Sequence, residues 1–156
     1  MNIYLDDVRT PTNTEDWNVV RNYDEFVALI KLNGIDSLGI VSLDHDLGDT
    51  AMQEYFNNVS PHYALDYGNI KEKTGLDCAK WLVDEYYDKN PERLTIPHDD
   101  KKGLPFKFPV VYVHSANPIG SANIMGYVNN FYMNEGQPQT CVRVKIEHTV
   151  NQEHNG

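Results

Sequence analysis

No stretch of the chain holds the roughly 18 to 20 consecutive apolar residues that a membrane-spanning helix needs. Its first residues, MNIYLDD, run straight into a strand-like pattern without a basic n-region or an apolar h-region, so no signal peptide is expected. Cysteine is scarce. Cys78 falls in a predicted helix and Cys141 in a predicted strand, with none of the Cys-His spacing that marks a zinc site. Two such thiols suit a reducing cytoplasm, the expected location. Positive charge is also short, with 13 Lys and Arg against 23 Asp and Glu and a net charge of −10. An acidic surface repels a phosphate backbone, and Lys101, Lys102 and Lys107 lie scattered among Asp99, Asp100 and prolines. General duplex nucleic-acid binding is therefore not expected, and internal repeats and low-complexity tracts are absent as well.

What is present reads as one globular domain. The 156 residues are 40% hydrophobic and 23% charged, long enough to bury a core. The domain is expected over residues 1–150, with 151–156 a flexible C-terminal tail. Asn2 to Leu5 and Trp17 to Arg21 look like short strands. Asp24 to Asn33 has a helical apolar side with Gly34 as its stop. Leu38 to Leu43 and Val110 to Val113 are continuous apolar runs, as in strands buried in a parallel sheet. Gly75 to Lys89 and Ser121 to Met133 read as helices, with Trp81 and Tyr86 as packing residues. Thr140 to Val150 alternates like a half-exposed edge strand. Between these, Gly48 to Lys73 and Asn90 to Pro109 show no periodicity and read as two long loop insertions. Alternating strands and helices argue for a parallel sheet with helices on both faces.

The chemistry gathers at strand ends. One apolar run stops at Asp6-Asp7, another at Asp44-His45-Asp46, a third at His114-Ser115-Ala116-Asn117. In an open parallel sheet these ends share one edge, where ligands bind. Carboxylates brought so close raise one another's pKa unless a cation neutralises them. An oxygen-lined site of this kind suits magnesium, manganese or calcium. Each element alone has a plainer explanation as a turn or a helix cap, and it is their joint occurrence that favours metal. His62, His98, His148 and His154 lie in polar segments and read as solvated.

The motifs IYLDDVRTP, VSLDHDLGD, TGLDCAKWL and VVYVHSAN resemble the acidic pair, the phospho-accepting strand, the Gly-rich helix start and the Ser/Thr-Ala switch of response-regulator receiver domains. The trio LDDVR, SLDHDLG and VHSANPIG is similar, more closely, to the cyclic-phosphate-processing receiver domain family. The resemblance implies a receiver-like (flavodoxin-like) three-layer α/β sandwich, with a mainly parallel five-stranded sheet carrying the two insertions. It implies Asp7 and Asp44 as direct ligands of Mg²⁺ or Mn²⁺, with Asp6 a water-mediated one. Asp44 takes the phospho-acceptor position, Asp46 adds a ligand or a base, and Ser115 takes the switch hydroxyl position. The receiver's lysine has no clear match, since Lys145 is followed by Ile146 rather than proline, and the usual final helix has no room.

A metal-dependent phosphoesterase acting on a cyclic phosphate, on an RNA end or a cyclic nucleotide, is the leading expectation. Asp46 or His45 would take a proton from water and His114 would protonate the leaving oxygen. Ser115, Asn117 and Arg9 would hold phosphate oxygens. If the strand persists to Asp46, His45 points away from Asp44 and Asp46. Two other readings stay open: a non-catalytic module binding metal and a small phosphate ligand or a protein partner, and a phospho-accepting receiver. Tyr55, Tyr63 and Tyr67 are free to contact a ligand.

Overall fold

The computed structural model describes residues 1–150; the expected tail at 151–156 lies outside the described residues. Among the described residues seven strands form, β1 (Ile3–Leu5), β2 (Arg9–Pro11), β3 (Asn18–Val20), β4 (Ile40–Leu43), β5 (Val110–Val113), β6 (Val142–Arg143) and β7 (His148–Val150). Five of them make a fully parallel sheet in the order β3-β1-β4-β5-β6, the doubly wound order expected of a receiver-like fold. In register across it, Ile3, Val41 and Val111 form one row and Leu5, Leu43 and Val113 the next, all fully buried. Each aliphatic side chain so covered contributes about 1.5–3 kcal/mol.

Three helices cover these rows: α1 (Tyr23–Asn33), α4 (Gly75–Lys89) and α6 (Pro118–Asn134). The steps β3 to β4, β4 to β5 and β5 to β6 all run the same way along the sheet. Right-handed crossovers therefore place α1, α4 and α6 on one face. The single step the other way, β1 to β3, carries no α-helix, only β2 and a short 3₁₀ turn at Thr14–Asp16. On that second face Tyr4, fully buried, stacks on His114 with Trp17 edge-on against it. The layer expected there as helices is built from strand-end and loop side chains.

Local sequence explains the helix ends. Asn22 caps α1 by accepting from the Glu25 amide at 2.9 Å, and Gly34 closes it with φ +84°, a conformation glycine takes without strain. The Asp77 carboxylate accepts the Thr74 amide at 2.8 Å, the reciprocal half of a capping box at the start of α4. The helix predicted from Ser121 starts earlier, at Pro118. Asn117 accepts from the Ile119 and Gly120 amides, and proline suits the first turn.

Residues 48–73 depart from the expected loop. They form α2 (Asp49–Glu54), widen into a π-helical stretch at Tyr55–Val59 and finish in α3 (Ser60–His62). Only Ala51 and Val59 among its apolar residues are buried, so no apolar stripe announces it. Carboxylates hold it instead. Buried Glu54 accepts from Asn58 Nδ2, the Asp66 amide and Asn69 Nδ2, and Glu72 accepts from Thr50 and from the Ala51 amide. The 90–109 connection is mostly irregular as expected, with short turns at Pro91–Leu94 and α5 (His98–Lys101). Phe106 and Phe108 pin it to Tyr86, Phe131 and Tyr132.

The expected long edge strand at Thr140–Val150 is also different. β6 spans two residues, the ladder ends at the Val144 amide on Val113 O, and the chain crosses the sheet's end to form β7. β7 pairs antiparallel with β2, Thr149 opposite Thr10. Backbone partners so far apart in sequence leave no local pattern, which is why β2 is invisible in the sequence. Among the described residues no helix is long and apolar enough to cross a membrane.

Candidate metal and phosphate site

The register of the sheet decides what meets at its carboxyl edge. Leu5, Leu43 and Val113 end their strands side by side, so Asp6, Asp44 and His114 start the next row. The Asp44 amide still donates to Leu5 O (2.9 Å) and the His114 amide to Leu43 O (3.0 Å). Asp6, Asp7 and Asp44 each place one carboxylate oxygen within 4.8 Å of the others. These are oxygen donors of the type that magnesium or manganese takes.

Each carboxylate has its own surroundings. Asp6 is fully buried, and its Oδ1 accepts from the Val8 and Arg9 amides while Oδ2 accepts from Arg9 Nε (2.7 Å) and His114 Nε2 (3.1 Å). Burial opposes its charge, but the His114, Arg9 and Val8 donors hold its pKa below the ordinary value. Asp44, nearly buried, accepts the His45 amide and lies 3.3 Å from Arg9 Nη2. Burial, then the charge of Asp6, push its carboxyl well above the ordinary range against the pull of Arg9. Arg21 steadies the loop between them, donating to Asp6 O, Arg9 O and Thr10 Oγ1.

His114 has both ring nitrogens committed. Asp6 is an acceptor, so Nε2 carries the proton, and Nδ1 then accepts from Ser42 Oγ at 2.7 Å. Burial holds this imidazole below its ordinary pKa, against Asp6. It sits as a neutral prop under Asp6. His45 is likewise fully buried, with Nδ1 donating to Asp46 Oδ1 (2.6 Å) and Nε2 against Tyr67 OH (2.9 Å). The strand stops at Leu43, so the alternation that would turn His45 away from Asp46 does not apply. Its ring fills the space over Gly120, where a Cβ would lie 2.3 Å from the imidazole. Asp46 Oδ1 also accepts from Asn117 Nδ2 (3.2 Å), and Asp46 lines the smaller cavity at this edge. Asn117, expected to hold phosphate, is occupied as the α6 cap and as a brace for Asp46.

Tyr67 joins two regions, since its hydroxyl also accepts from Asn123 Nδ2 of α6. Tyr67→Phe is expected to cost about 1 kcal/mol. For a domain of this size that is a melting temperature lower by about 2–4 °C. An unchanged melting curve would show that the hydroxyl carries no weight.

Two connected compartments open at this edge. The smaller, about 180 Å³, has Asp7, Asp44 and Asp46 on one side and Met52, Tyr55 and Phe56 of the 48–73 segment on the other. The larger, about 990 Å³, is bounded by β2 and by the crossing between β6 and β7. Arg9, Ser115 and Ala116 line both. Ser115 Oγ accepts the Asn117 amide at 3.0 Å, and its hydroxyl proton remains for a ligand oxygen. Lys145 comes to this edge two residues past β6, and lines the larger compartment with Arg143 and His148. Arg9 thus meets Arg143 and Lys145 from the far end of the described chain, and together they form the basic surface of the cleft.

Sequence reasoning passed over Ser42 and Arg21, and it read Tyr67 as free for a ligand, whereas the Tyr67 hydroxyl is engaged by His45 and Asn123. Only their place after folding marks them, as their side chains reach site residues 12 to 72 positions away. Gly75 left a clearer trace in TGLDCAKWL, because a Cβ there would stand 1.8 Å from Asp44 O. Comparison with curated proteins and with solved structures gave no match. The family model of the cyclic-phosphate processing receiver domain matches residues 1–130, which hold β1 to β5, every carboxylate of the site, Ser115 and all of α6 but its last turn. On that match and the parallel sheet that carries its motifs, the chain belongs to the cyclic-phosphate processing receiver domain family.

Proposed function

We propose that the domain is a divalent-metal-dependent phosphoesterase that opens a cyclic phosphate. The observation that carries this reading is the placement of Asp6, Asp7 and Asp44 within 4.8 Å beside a small cavity shared with Arg9 and Ser115. Asp7 and Asp44 would hold the ion, and Asp6, whose oxygens already accept four hydrogen bonds, would act through water. Bound there, Mg²⁺ or Mn²⁺ supplies polarisation of a phosphoryl oxygen and a lowered pKa for water.

The chain's own groups do the rest. Arg9 and the Ser115 hydroxyl bind non-bridging oxygens and orient the phosphorus. Asp46, fixed through Oδ1 by His45 and Asn117, takes a proton at Oδ2 from the attacking water. As the water oxygen bonds to phosphorus, one ring P–O bond breaks, and the freed oxygen takes its proton from solvent in the open cleft. The products are a phosphomonoester and a hydroxyl. His114 acts through Asp6, and His45 through Asp46. The apolar wall of Met52, Tyr55 and Phe56 excludes water from one side.

Turnover of nucleoside 2′,3′- and 3′,5′-cyclic phosphates with Mg²⁺ or Mn²⁺ tests the reading. Activity that chelation removes is expected. Asp46→Asn should lower it about 100-fold while magnesium affinity by calorimetry stays within about threefold. No turnover of either substrate class with either ion would sink the proposal.

A further inference from the structure

The acidic compartment is small, about 180 Å³, and the neighbouring cleft is about 990 Å³, so most of a ligand engaged at the carboxylates has to lie in the second space. That space has a different chemistry. Arg9, Arg143 and Lys145 face it with His148, against one carboxylate among the described residues, that of Glu147, in a chain whose net charge is −10. Arg143 is anchored through Nε on Ser115 O at 3.0 Å, so its terminal nitrogens are the ones placed to reach an anion. Val144 and Ile146 add an apolar strip between the cations. An apolar strip flanked by cations suits a phosphate joined to a sugar and a base, and a planar guanidinium suits a phosphodiester's paired oxygens.

The wall of this cleft, residues 143–148, lies beyond the part of the chain that the family model matches. β7 fixes it by pairing with β2, and β2 begins at Arg9, the residue common to both compartments.

We propose that this cleft is a second anion site, and that the ligand is a nucleotide with at least two phosphates, one in each compartment. The inference deepens the phosphoesterase reading and rests on it for the first phosphate. A lone cyclic mononucleotide places its one phosphate on the acidic side and leaves Arg143 and Lys145 without an anion. A dinucleotide ending in a 2′,3′-cyclic phosphate reaches across Arg9 and lays its internal phosphodiester against Arg143 and Lys145. A ring-closed dinucleotide offers the same pair of phosphates.

The test is equilibrium binding in magnesium buffer, in an Asp46→Asn background so that the probes persist. The probes are a nucleoside 2′,3′-cyclic phosphate, a ribodinucleotide ending in that group and a cyclic dinucleotide. At least one two-phosphate probe is expected to bind about tenfold tighter than the mononucleotide, with a steeper fall in added salt. Whichever of the two is preferred identifies the source of the second phosphate. Lys145→Gln, at an exposed position where folding is not at stake, should remove most of that advantage and leave mononucleotide affinity within about twofold. Arg143→Gln should act in the same direction. Equal affinity for one- and two-phosphate probes overturns the proposal. So does a loss on Lys145→Gln that is equal for all three, which would place Lys145 on the reacting phosphate. Wild-type turnover separates the two readings. A two-phosphate preference without hydrolysis keeps the second site and removes the phosphoesterase, whereas mononucleotide hydrolysis without the preference does the reverse.

Discussion

Asp44→Asn is expected to abolish turnover, with a loss of at least about 10³-fold, to weaken magnesium binding about 100-fold or more, and yet to make the metal-free protein more stable. The opposite signs have one cause. Asp44 is buried beside Asp6 and near Asp7 and Asp46, so its charge is costly when no cation answers it. Its folded pKa lies above the unfolded value. The ionised form is therefore favoured in the unfolded chain, and the penalty is present above the folded pKa and vanishes as pH falls below the unfolded one. The amide keeps an oxygen for the His45 amide and for Arg9 while shedding the charge. A gain of about 1–2 kcal/mol at neutral pH follows, seen as a melting temperature higher by roughly 2–8 °C. The gain should shrink toward zero in acid. Saturating magnesium should reverse the order of the two proteins, because only the wild type gains from binding. An Asp44→Asn protein that is less stable without metal at pH 7 would mean the carboxylate is a structural acceptor, not a strained ligand.

The sequence made this site legible where the backbone itself supplies the pattern. The runs at Leu38–Leu43, broken by Ser42, and Val110–Val113 mark central parallel strands, and the shared direction of β1 and β4 places Asp6, Asp7 and Asp44 at one edge. The α4 boundaries are plain because Thr74, Asp77 and an apolar stripe agree. Legibility ends where polar side chains do the work of a core. The 49–62 helix is held by Glu54 and Glu72 accepting from distant amides, so its sequence shows Asn and Tyr without a period. Its consequence for the site is large, because it brings the apolar wall of Met52, Tyr55 and Phe56. The ribbon of β2 and β7 is a second case, built from residues at opposite ends of the described chain. The histidines are a third. The motif places His45 and His114 beside the acids, but only the folded contacts with Tyr67 and Ser42 show that both ring nitrogens of each are engaged.

Glu135→Gln is expected to cost about 3–5 kcal/mol, the largest stability loss among these variants, while sparing magnesium affinity. Glu135 is fully buried just past the end of α6 and gathers three donors. Arg93 Nε reaches Oε1 at 2.9 Å, and Lys101 Nζ (2.5 Å) and Tyr87 OH (2.9 Å) reach Oε2. Arg93 and Lys101 both belong to the irregular 90–109 connection, so this one carboxylate ties that segment to α6. Arg93 is already under-satisfied, with Nη2 buried and lacking a partner among the described residues. An amide would face it and Lys101 with no charge to balance theirs. The expected fall in melting temperature is about 6 °C or more, and Lys101→Met in the same background should recover part of it by removing the stranded cation. The pH dependence has a definite sign. Burial opposes the charge of Glu135, but Lys101, Arg93 and Tyr87 hold its pKa below the ordinary value. Its contribution is complete above the unfolded pKa, about 4.3, and is lost as pH falls through the lower folded value. The gap between wild type and variant should therefore close in acid. The proposed magnesium site lies at the far end of the 17-residue α6, a helix of about 25 Å, where Asn117 braces Asp46. A Glu135→Gln protein that lost magnesium binding below its melting temperature would show that the two ends of α6 are coupled. Unchanged binding with a large stability loss would show that the carboxylate site is rigid on the sheet edge alone.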